Sequence, residues 1–549
     1  MDVSKLLPFA LIAAILPAQV TYDSILHASR DPQNWLTYGG GYSSQRYSLL
    51  TGLTPDNVQN LELKWVFHPK YLEKMEATPI VVNGVLYTVQ NSEVVALDAV
   101  TGRTFWTFHY AVPRESNQYL MVVKGLAMSG DRLFWATYDG HLIAIDAKTG
   151  HAIWNKIIVD WHEGYQLNVA PLIVKDMVIL GPATNEEGAN CWVGAFDVKT
   201  GKELWRFYTA PMSADDPAAK TWAGESWKHG GSPVWVTGSY DPETNTTFWG
   251  TGNPNAGWNG DNRAGDDLYS DSVVALDADT GKLKWHYQFT PHDEFDWDSV
   301  QVPVLATIPW HGAPRKVMLW ANRNGFFYVL DRTTGKFLLG KAFVKQTWNV
   351  GFDEAGRPMK APGIDPKPVS GPVVFPGGQG GTNWYSPSFS PRTGLFYVST
   401  WDNYGSPEGK GPIQEWKPGG KYTGMASRRS ASPTARARFR GVEVAYRTED
   451  EGYGALRAID PQTGERKWEF KMIDYTESGV LTTASNLLFT GNRAGNFFAL
   501  NAATGALLWH TNLGGTVASG PVTYAVDGRQ YVVVCGGSAM YAFGLPDSK

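Results

Sequence analysis

The stretch Ala275-Leu276-Asp277-Ala278-Asp279-Thr280-Gly281-Lys282-Leu283-Lys284-Trp285 is one copy of a unit that recurs along the chain. In this unit, Asp can bond its own backbone two residues on, and Gly supplies the positive φ that a tight turn needs. Each copy therefore predicts a strand, a tight turn and a second strand whose Trp packs between neighbouring sheets. The pattern Ala-x-Asp-x-x-Thr-Gly-x-x-x-Trp also starts at Ala96, Ala144, Ala195 and Ala458, with variants starting at Val329 and Ala499.

The number of turns predicts the architecture. Seven units are complete, and an eighth strand at residues 61–67 lacks a preceding turn of its own. The C-terminal strands at residues 517–525, 531–535 and 539–542 lack a closing partner. Pairing the two ends would complete a last sheet and remove the exposed edges. The sequence thus predicts an all-β, eight-bladed β-propeller with four strands in each blade. A seven-bladed ring with an extra strand pair is the alternative.

Composition agrees with this class and limits the partners. A chain of 549 residues exceeds the usual single globular core, so it is multidomain or built from repeats. The aromatic content of 13%, with 59 Gly and 33 Pro, favours short strands joined by turns. The formal charge of −5 argues against nucleic acid as a partner. Two cysteines, Cys191 and Cys535, give no disulfide framework, and the absence of Cys-x-x-Cys-His predicts no c-type haem on this chain.

The ends and two long connections complete the predicted organisation. Lys5 precedes an apolar run at residues 6–16 that is too short to span a bilayer, so residues 1–18 are predicted to be a signal peptide. A buried N-terminal segment is the alternative. Residues 19–549 are predicted to form one propeller domain with insertions at about 206–234 and 402–452. An Arg-rich run at 427–447 is either a solvated loop or a docking site for an acidic redox partner.

Four carboxylates lie within residues 293–298, directly after the fourth repeat unit. Asp296 and Asp298 are separated by one residue. Side chains at i and i+2 lie on the same side of an extended backbone, so both are predicted to point into one site. A solvated acidic loop is the alternative for this run taken alone.

Three further motifs stand in order with this acidic run. They are Ala-Thr-Asn-Glu-Glu-Gly at 183–188, Gly-Ser-Pro-Val-Trp at 231–235 leading to Gly-Asn-Pro at 252–254, and Asn-Arg-Asn-Gly-Phe at 322–326. Together with Gly-Gly-Thr-Asn-Trp-Tyr at 380–385, they make the chain resemble the quinoprotein alcohol dehydrogenases, which use pyrroloquinoline quinone (PQQ) and include methanol and ethanol dehydrogenases. The resemblance covers nearly the whole chain after residue 18. It implies periplasmic oxidation of alcohols to aldehydes by hydride transfer to PQQ.

The resemblance also implies roles for particular residues. Asp296 corresponds to the general base, and Arg323 to the residue that hydrogen-bonds the quinone oxygens. The metal-ligand positions correspond to Glu186, Asn253 and Asp296, whose oxygen donors suit Ca²⁺ or a lanthanide ion. Asp298 corresponds to the extra carboxylate of lanthanide-dependent members. Cofactor-pocket positions correspond to Glu76, Lys124, Trp235, Asn383 and Trp384.

The chain departs from the family pattern at several positions. Gln118 and Tyr119 stand where many members have adjacent cysteines, and Lys124 and Asn190 stand where members have Arg. The alcohol is therefore left open. The expected electron acceptor is a soluble cytochrome c or similar carrier rather than NAD, because no dinucleotide fingerprint follows a strand. A homodimer is left open. A non-catalytic PQQ-repeat propeller scaffold and a PQQ sugar dehydrogenase are the alternative functions.

Overall fold

The computed structural model describes residues 19–116, 122–184, 186–368, 371–425, 452–472 and 474–547. It contains eight large sheets, each with four antiparallel strands, which we number as blades in chain order; the sheet of blade 7 carries a fifth, parallel strand. Blade 1 consists of the strands Ile80–Val82, Val85–Gln90, Glu93–Asp98 and Thr104–His109, and blade 2 of Ala127–Ser129, Arg132–Ala136, His141–Asp146 and Ala152–Ile157. Blade 3 consists of Leu172–Val174, Met177–Leu180, Trp192–Asp197 and Glu203–Tyr208, and blade 4 of Ser239–Asp241, Thr246–Gly250, Ser272–Asp277 and Leu283–Gln288. Blade 5 consists of Val304–Trp310, Ala313–Ala321, Phe326–Asp331 and Phe337–Ala342, and blade 6 of Ser388–Ser390, Leu395–Asp402, Tyr453–Ile459 and Arg466–Met472. Blade 7 consists of Leu481–Thr483, Leu487–Gly491, Asn496–Asn501 and Leu507–Asn512.

Blade 8 is built from both ends of the chain. The strands Val522–Val526, Arg529–Gly536 and Ala539–Gly544 come from the C-terminal end, and Glu62–Phe67 supplies the fourth strand. Glu62–Phe67 pairs antiparallel with Ala539–Gly544, which places Trp65 opposite Ala542. The predicted eight-bladed ring and its closure are therefore confirmed, and the seven-bladed alternative is wrong.

The Trp of the repeat unit bonds to the next blade at four of the junctions. The indole of Trp205 in blade 3 donates to the carbonyl of Ala278 in blade 4 at 3.0 Å. The same indole covers Gly281, whose φ is +68°, and a Cβ at Gly281 would lie 2.4 Å from the Trp205 ring. The turn thus needs Gly both for its backbone conformation and for the close approach of the Trp. Equivalent indole-to-carbonyl bonds join Trp65 to Ala99, Trp106 to Ala147 and Trp468 to Ala502.

Short helices and strands lie outside the eight blades. They are the α-helix Tyr22–Leu26, the 3₁₀ helices Ala28–Arg30, Val58–Asn60, Arg114–Ser116, Trp161–Glu163, Pro217–Thr221 and Ser226–His229, and the strand Tyr47–Ser48 beside blade 7. Two-stranded ladders pair Tyr165–Gln166 with Ala183–Thr184, Asn349–Phe352 with Pro358–Lys360, Lys367–Pro368 with Gly409–Lys410, and Val373–Val374 with Ser406–Pro407. No helix in the described ranges is long and apolar enough to cross a membrane. The predicted signal peptide, Gln118, Tyr119 and the 427–447 run lie outside the described residues.

The antiparallel topology divides the loops between two faces of the ring. In each blade, the loop between strands 1 and 2 and the repeat turn between strands 3 and 4 lie at one edge. The loop between strands 2 and 3 and the connection to the next blade lie at the opposite edge. We call this second face the loop face. Every predicted site residue lies in a segment that belongs to the loop face.

Candidate active site

Arg323 lies at the centre of the site. It occupies the turn between Ala313–Ala321 and Phe326–Asp331 in blade 5. Its Nη1 donates to Asp298 Oδ2 at 2.5 Å, and its Nη2 donates to Asp296 Oδ2 at 3.2 Å. The Arg323 side chain is only 4% exposed, so its charge is balanced inside the protein by the two carboxylates. The structure thus brings together three of the predicted residues.

The loop that carries these two carboxylates is not extended. Asp296 has a φ of +62°, so the expectation of an extended backbone is wrong at this position. Both side chains reach one site because the loop turns sharply. The carboxylate of Asp293 accepts hydrogen bonds from the amides of Phe295 and Trp297 at 3.2 and 3.0 Å, which fixes that turn. Trp297 is fully buried and donates its indole N–H to the carbonyl of Gly377 at 3.1 Å, which anchors the loop.

Asn253 and Glu186 complete the group. The backbone amide of Asn253 donates to Asp298 Oδ1 at 2.9 Å, so both oxygens of Asp298 have partners. Glu186 has a φ of +62°, and its carbonyl accepts a bond from the amide of Tyr422 at 2.7 Å. The side-chain amide of Asn253 donates to the carbonyl of Pro254 at 3.3 Å. Glu186 Oε2 is buried and has no hydrogen-bond partner.

The electrostatics of this group favour a cation. Burial, and then the charge of Asp298, raise the pKa of Glu186 to about 7, although Lys421 and Arg323 oppose that rise. Burial raises the pKa of Asp296 well above its usual range despite Arg323, and the charges of Asp298 and Glu186 add to the rise. A bound cation would favour the ionised form of each carboxylate.

The donor set fits a metal ion that prefers oxygen ligands. The unpartnered Oε2 of Glu186 supplies a free donor, and Asn253 and Asp296 supply further oxygens beside it. Among the described residues, no three His, Cys, Asp or Glu side chains already converge around one point that could hold a metal ion. The carboxylate of Asp298 does not point to such a shared centre, because its two oxygens accept bonds from Arg323 and from the amide of Asn253.

Lys124 lies close to two aromatic rings in the neighbouring loops, and we call the group of Lys124, Trp235 and Trp384 the aromatic slot. The ammonium of Lys124 lies 3.4 Å from the ring centroid of Trp384 and 5.6 Å from that of Trp235. Lys124 also forms a buried ion pair with Glu76. The side-chain oxygen of Asn383 accepts a bond from the backbone amide of Trp384 at 2.9 Å, which constrains the backbone that carries the ring. The structure therefore brings together the predicted cofactor-pocket residues, which suit a planar and anionic molecule.

Sequence reasoning missed several residues that shape the site. Lys74 lies between Glu76 and Glu477, at 2.9 and 2.8 Å, and neither Lys74 nor Glu477 carried a motif signal. Fully buried Asp271 has no hydrogen-bond partner for either carboxylate oxygen within the described residues. The side-chain amide of Asn190 donates to the carbonyls of Pro211 and Trp227 and so links these loops.

Known proteins share this architecture and sequence. A family model described as "Glucose/ethanol/alcohol dehydrogenase, beta-propeller domain", of the PQQ class, matches residues 35–341 and 362–532. Quinoprotein alcohol dehydrogenase PedH of Pseudomonas putida is 37% identical over 97% of this chain and 91% of its own. The crystal structure of quinohemoprotein alcohol dehydrogenase from Comamonas testosteroni has a TM-score of 0.86 at 33% identity, over 96% of this chain and 83% of that one.

A europium-containing methanol dehydrogenase structure has a TM-score of 0.83 at 29% identity and covers 95% of this chain and all of its own. The curated relatives are named as alcohol dehydrogenases, so the scaffold and sugar dehydrogenase alternatives are set aside. The chain belongs to the family of PQQ-dependent quinoprotein alcohol dehydrogenases.

Proposed function

We propose that Asp296 is the general base of alcohol oxidation in this protein. The observation that carries the proposal is the exposure of the carboxylates that bind Arg323. The side chain of Asp296 is 19% exposed, whereas that of Asp298 is 9% exposed. Asp296 is thus the carboxylate of this pair that a substrate hydroxyl can reach. Arg323 fixes its Oδ2, so the acceptor is held in place before substrate binds.

The chemistry follows from these positions. When bound, PQQ supplies the two-electron acceptor for the hydride of the alcohol, and the metal ion supplies a Lewis acid. Asp296 takes the proton of the substrate hydroxyl as the carbonyl of the aldehyde forms. Arg323 donates to atoms on which negative charge develops. Trp235 and Trp384 would hold the planar cofactor by contact with its rings, and the Trp384 side chain is buried.

The metal ion would be held by Glu186, Asn253, Asp296 and Asp298. We propose a lanthanide as the native ion, with Ca²⁺ as the alternative. The support is the third carboxylate: Asp298 accepts a bond from the amide of Asn253, and its charge adds to the effect of burial in raising the pKa of Glu186. A trivalent ion gains more from an added negative ligand than a divalent ion does.

The cellular setting forms the last part of the proposal. Residues 1–18 are proposed to direct export, which places the enzyme in the periplasm. A soluble cytochrome c or similar carrier is proposed to reoxidise the cofactor. The support is that the sequence contains no Cys-x-x-Cys-His motif, although several relatives are named quinohemoproteins.

The decisive experiment compares Asp296→Asn with wild type. Both proteins are loaded with PQQ and metal, and alcohol oxidation is followed with an artificial dye acceptor. Loss of a positioned general base lowers turnover by about 10²–10⁴-fold. Bound PQQ and metal are measured in the same samples. Asp279→Asn is the matched control, because Asp279 is an exposed repeat-turn carboxylate paired with Lys175. Near-native turnover of Asp296→Asn with both groups bound would rule out this base.

A further inference from the structure

Four charged side chains form a chain from solvent to the aromatic slot. Lys74 is 31% exposed, whereas the side chains of Glu76 and Lys124 are 4% and 3% exposed. Glu76 binds both lysines, Lys124 through Oε2 and Lys74 through Oε1 at 2.9 Å. Lys74 binds Glu477 in turn, at 2.8 Å. The four side chains balance in charge.

The order of the charges matters for the innermost lysine. Lys124 faces the rings of Trp384 and Trp235, where the cofactor is proposed to lie. If Lys124 were the sole partner of Glu76, the carboxylate would neutralise it. Lys74 takes part of the charge of Glu76, so Lys124 keeps positive potential toward the slot. Burial opposes ionisation of Glu76, but Lys124 and Lys74 together lower its pKa. Burial also lowers the pKa of Lys124, and the charge of Glu76 opposes that fall.

We propose that Lys74 and Glu477 are positioning residues that set the affinity of the aromatic slot for anionic cofactor carboxylates. The inference rests on the proposed function, because it takes the slot to be the PQQ site. PQQ is a polycarboxylate at neutral pH, so a lysine with residual positive potential binds it better than a neutralised one. Lys74 raises the positive potential at Lys124, and Glu477 lowers it because it forms an ion pair with Lys74.

The two residues therefore have opposite effects. Lys74→Met removes a positive charge, leaves Glu76 to Lys124 alone and weakens PQQ binding. Glu477→Gln removes a negative charge, which lets Lys74 turn fully to Glu76, and it strengthens binding. A structural role gives a different pattern, since breaking either end of a buried ion network destabilises the fold. Opposite signs in PQQ affinity cannot arise from destabilisation alone.

The test measures the Kd of PQQ for the full chain in calcium chloride at one fixed concentration. Quenching of tryptophan fluorescence reports binding without turnover. Lys74→Met is expected to raise the Kd about tenfold, and Glu477→Gln to lower it about threefold to tenfold, as one charge nearby would do. The double variant is expected to return close to wild type, and Lys74→Arg to match wild type. Thermal midpoints of the PQQ-free proteins identify any variant that fails to fold.

Two outcomes overturn the inference: both single variants raise the Kd, or neither changes it. Lys124→Met and Trp235→Ala separate this failure from failure of the proposed site. If these two lose PQQ binding while Lys74→Met and Glu477→Gln bind as wild type, the slot is correct and only the inference is wrong. If they bind PQQ as wild type, the slot assignment itself is wrong, and the inference falls with it.

Discussion

Removal of the Asp298 carboxylate tests the metal assignment most directly. Asp298 accepts bonds from Arg323 at 2.5 Å and from the amide of Asn253 at 2.9 Å. In Asp298→Ala, Arg323 keeps its partner Asp296, at 3.2 Å, so its charge stays paired. The amide of Asn253 loses its acceptor, which costs about 1–3 kcal/mol of stability when a buried group is left unpaired. The variant is therefore expected to fold with a modestly lower thermal midpoint.

The effect on metal choice is larger. Two unit charges about 4 Å apart interact by about 4 kcal/mol at an effective dielectric constant of about 20. A lanthanide carries one positive charge more than Ca²⁺, so it loses about that much more when the carboxylate is removed. Since about 1.4 kcal/mol is a factor of ten in affinity, Asp298→Ala is expected to lower the lanthanide-over-calcium preference by about 10²–10³-fold.

The assay titrates metal-free enzyme with Ca²⁺ and with a light lanthanide, wild type beside Asp298→Ala. Bound metal and dye-linked alcohol oxidation are measured at each point. Glu294→Gln is the matched control, because that buried carboxylate of the same loop bonds to Gly260 and Lys360. Full wild-type activity in Ca²⁺ alone, with the same metal preference in Asp298→Ala, would refute the reasoning and leave Asp298 as a partner of Arg323 only.

Truncation after Gly520 removes three strands of blade 8 and leaves Glu62–Phe67 unpaired, so the truncated protein is expected to aggregate. A soluble truncated protein that unfolds cooperatively on heating would contradict closure of the ring. Arg323→Ala is expected to lower turnover by about 10²-fold through loss of a charged donor, measured as kcat with PQQ bound. Burial raises the pKa of Glu408 to about 7, whereas this carboxyl ionises near pH 4.5 in the unfolded chain. Between these pH values the folded protein holds a proton that the unfolded chain has released, so the stability that Glu408 contributes falls as the pH rises from about 4.5 to 7. In Glu408→Gln, the fall in the free energy of unfolding with rising pH is expected to be smaller by about 3 kcal/mol, which urea unfolding at pH 5 and 8 measures. Purified, cofactor-loaded enzyme is expected to reduce cytochrome c and not NAD, and NAD-linked turnover without other carriers would contradict this acceptor.

The sequence predicted the blades because each repeat is a local structure. The Asp, Thr and Gly of a turn interact within a few residues, as the bonds from the amides of Asp279 and Thr280 to the Asp277 carboxylate show. The spacing of the Trp then fixes which side chain reaches the next blade, and Trp205 does so. Two unmatched ends were enough to predict closure, because an unpaired strand edge requires a partner.

The sequence predicted the order of the antiparallel strands, and such strands send alternate loops to opposite edges, which puts the site residues on one face of the folded ring. It could not give the conformation of Asp296. A positive φ at a non-glycine residue is uncommon, and here it is stabilised by the bonds of Asp293 within the loop and by the buried Trp297. The two-residue spacing predicted a shared site for Asp296 and Asp298, although the backbone that brings them together is a turn.

Contacts between distant loops were decided only by the tertiary structure. Lys74 and Glu477 are 403 residues apart, and they meet because the closed ring brings the loops that follow blades 8 and 6 to the same face. Arg323 meets Asp298 within a single blade, because the loop that enters blade 5 and the loop between its second and third strands lie on the same face. Local sequence patterns determine turns and strands through interactions over a few residues. The pairing of charges across the loop face depends on the curvature and closure of the whole ring, which no single repeat encodes.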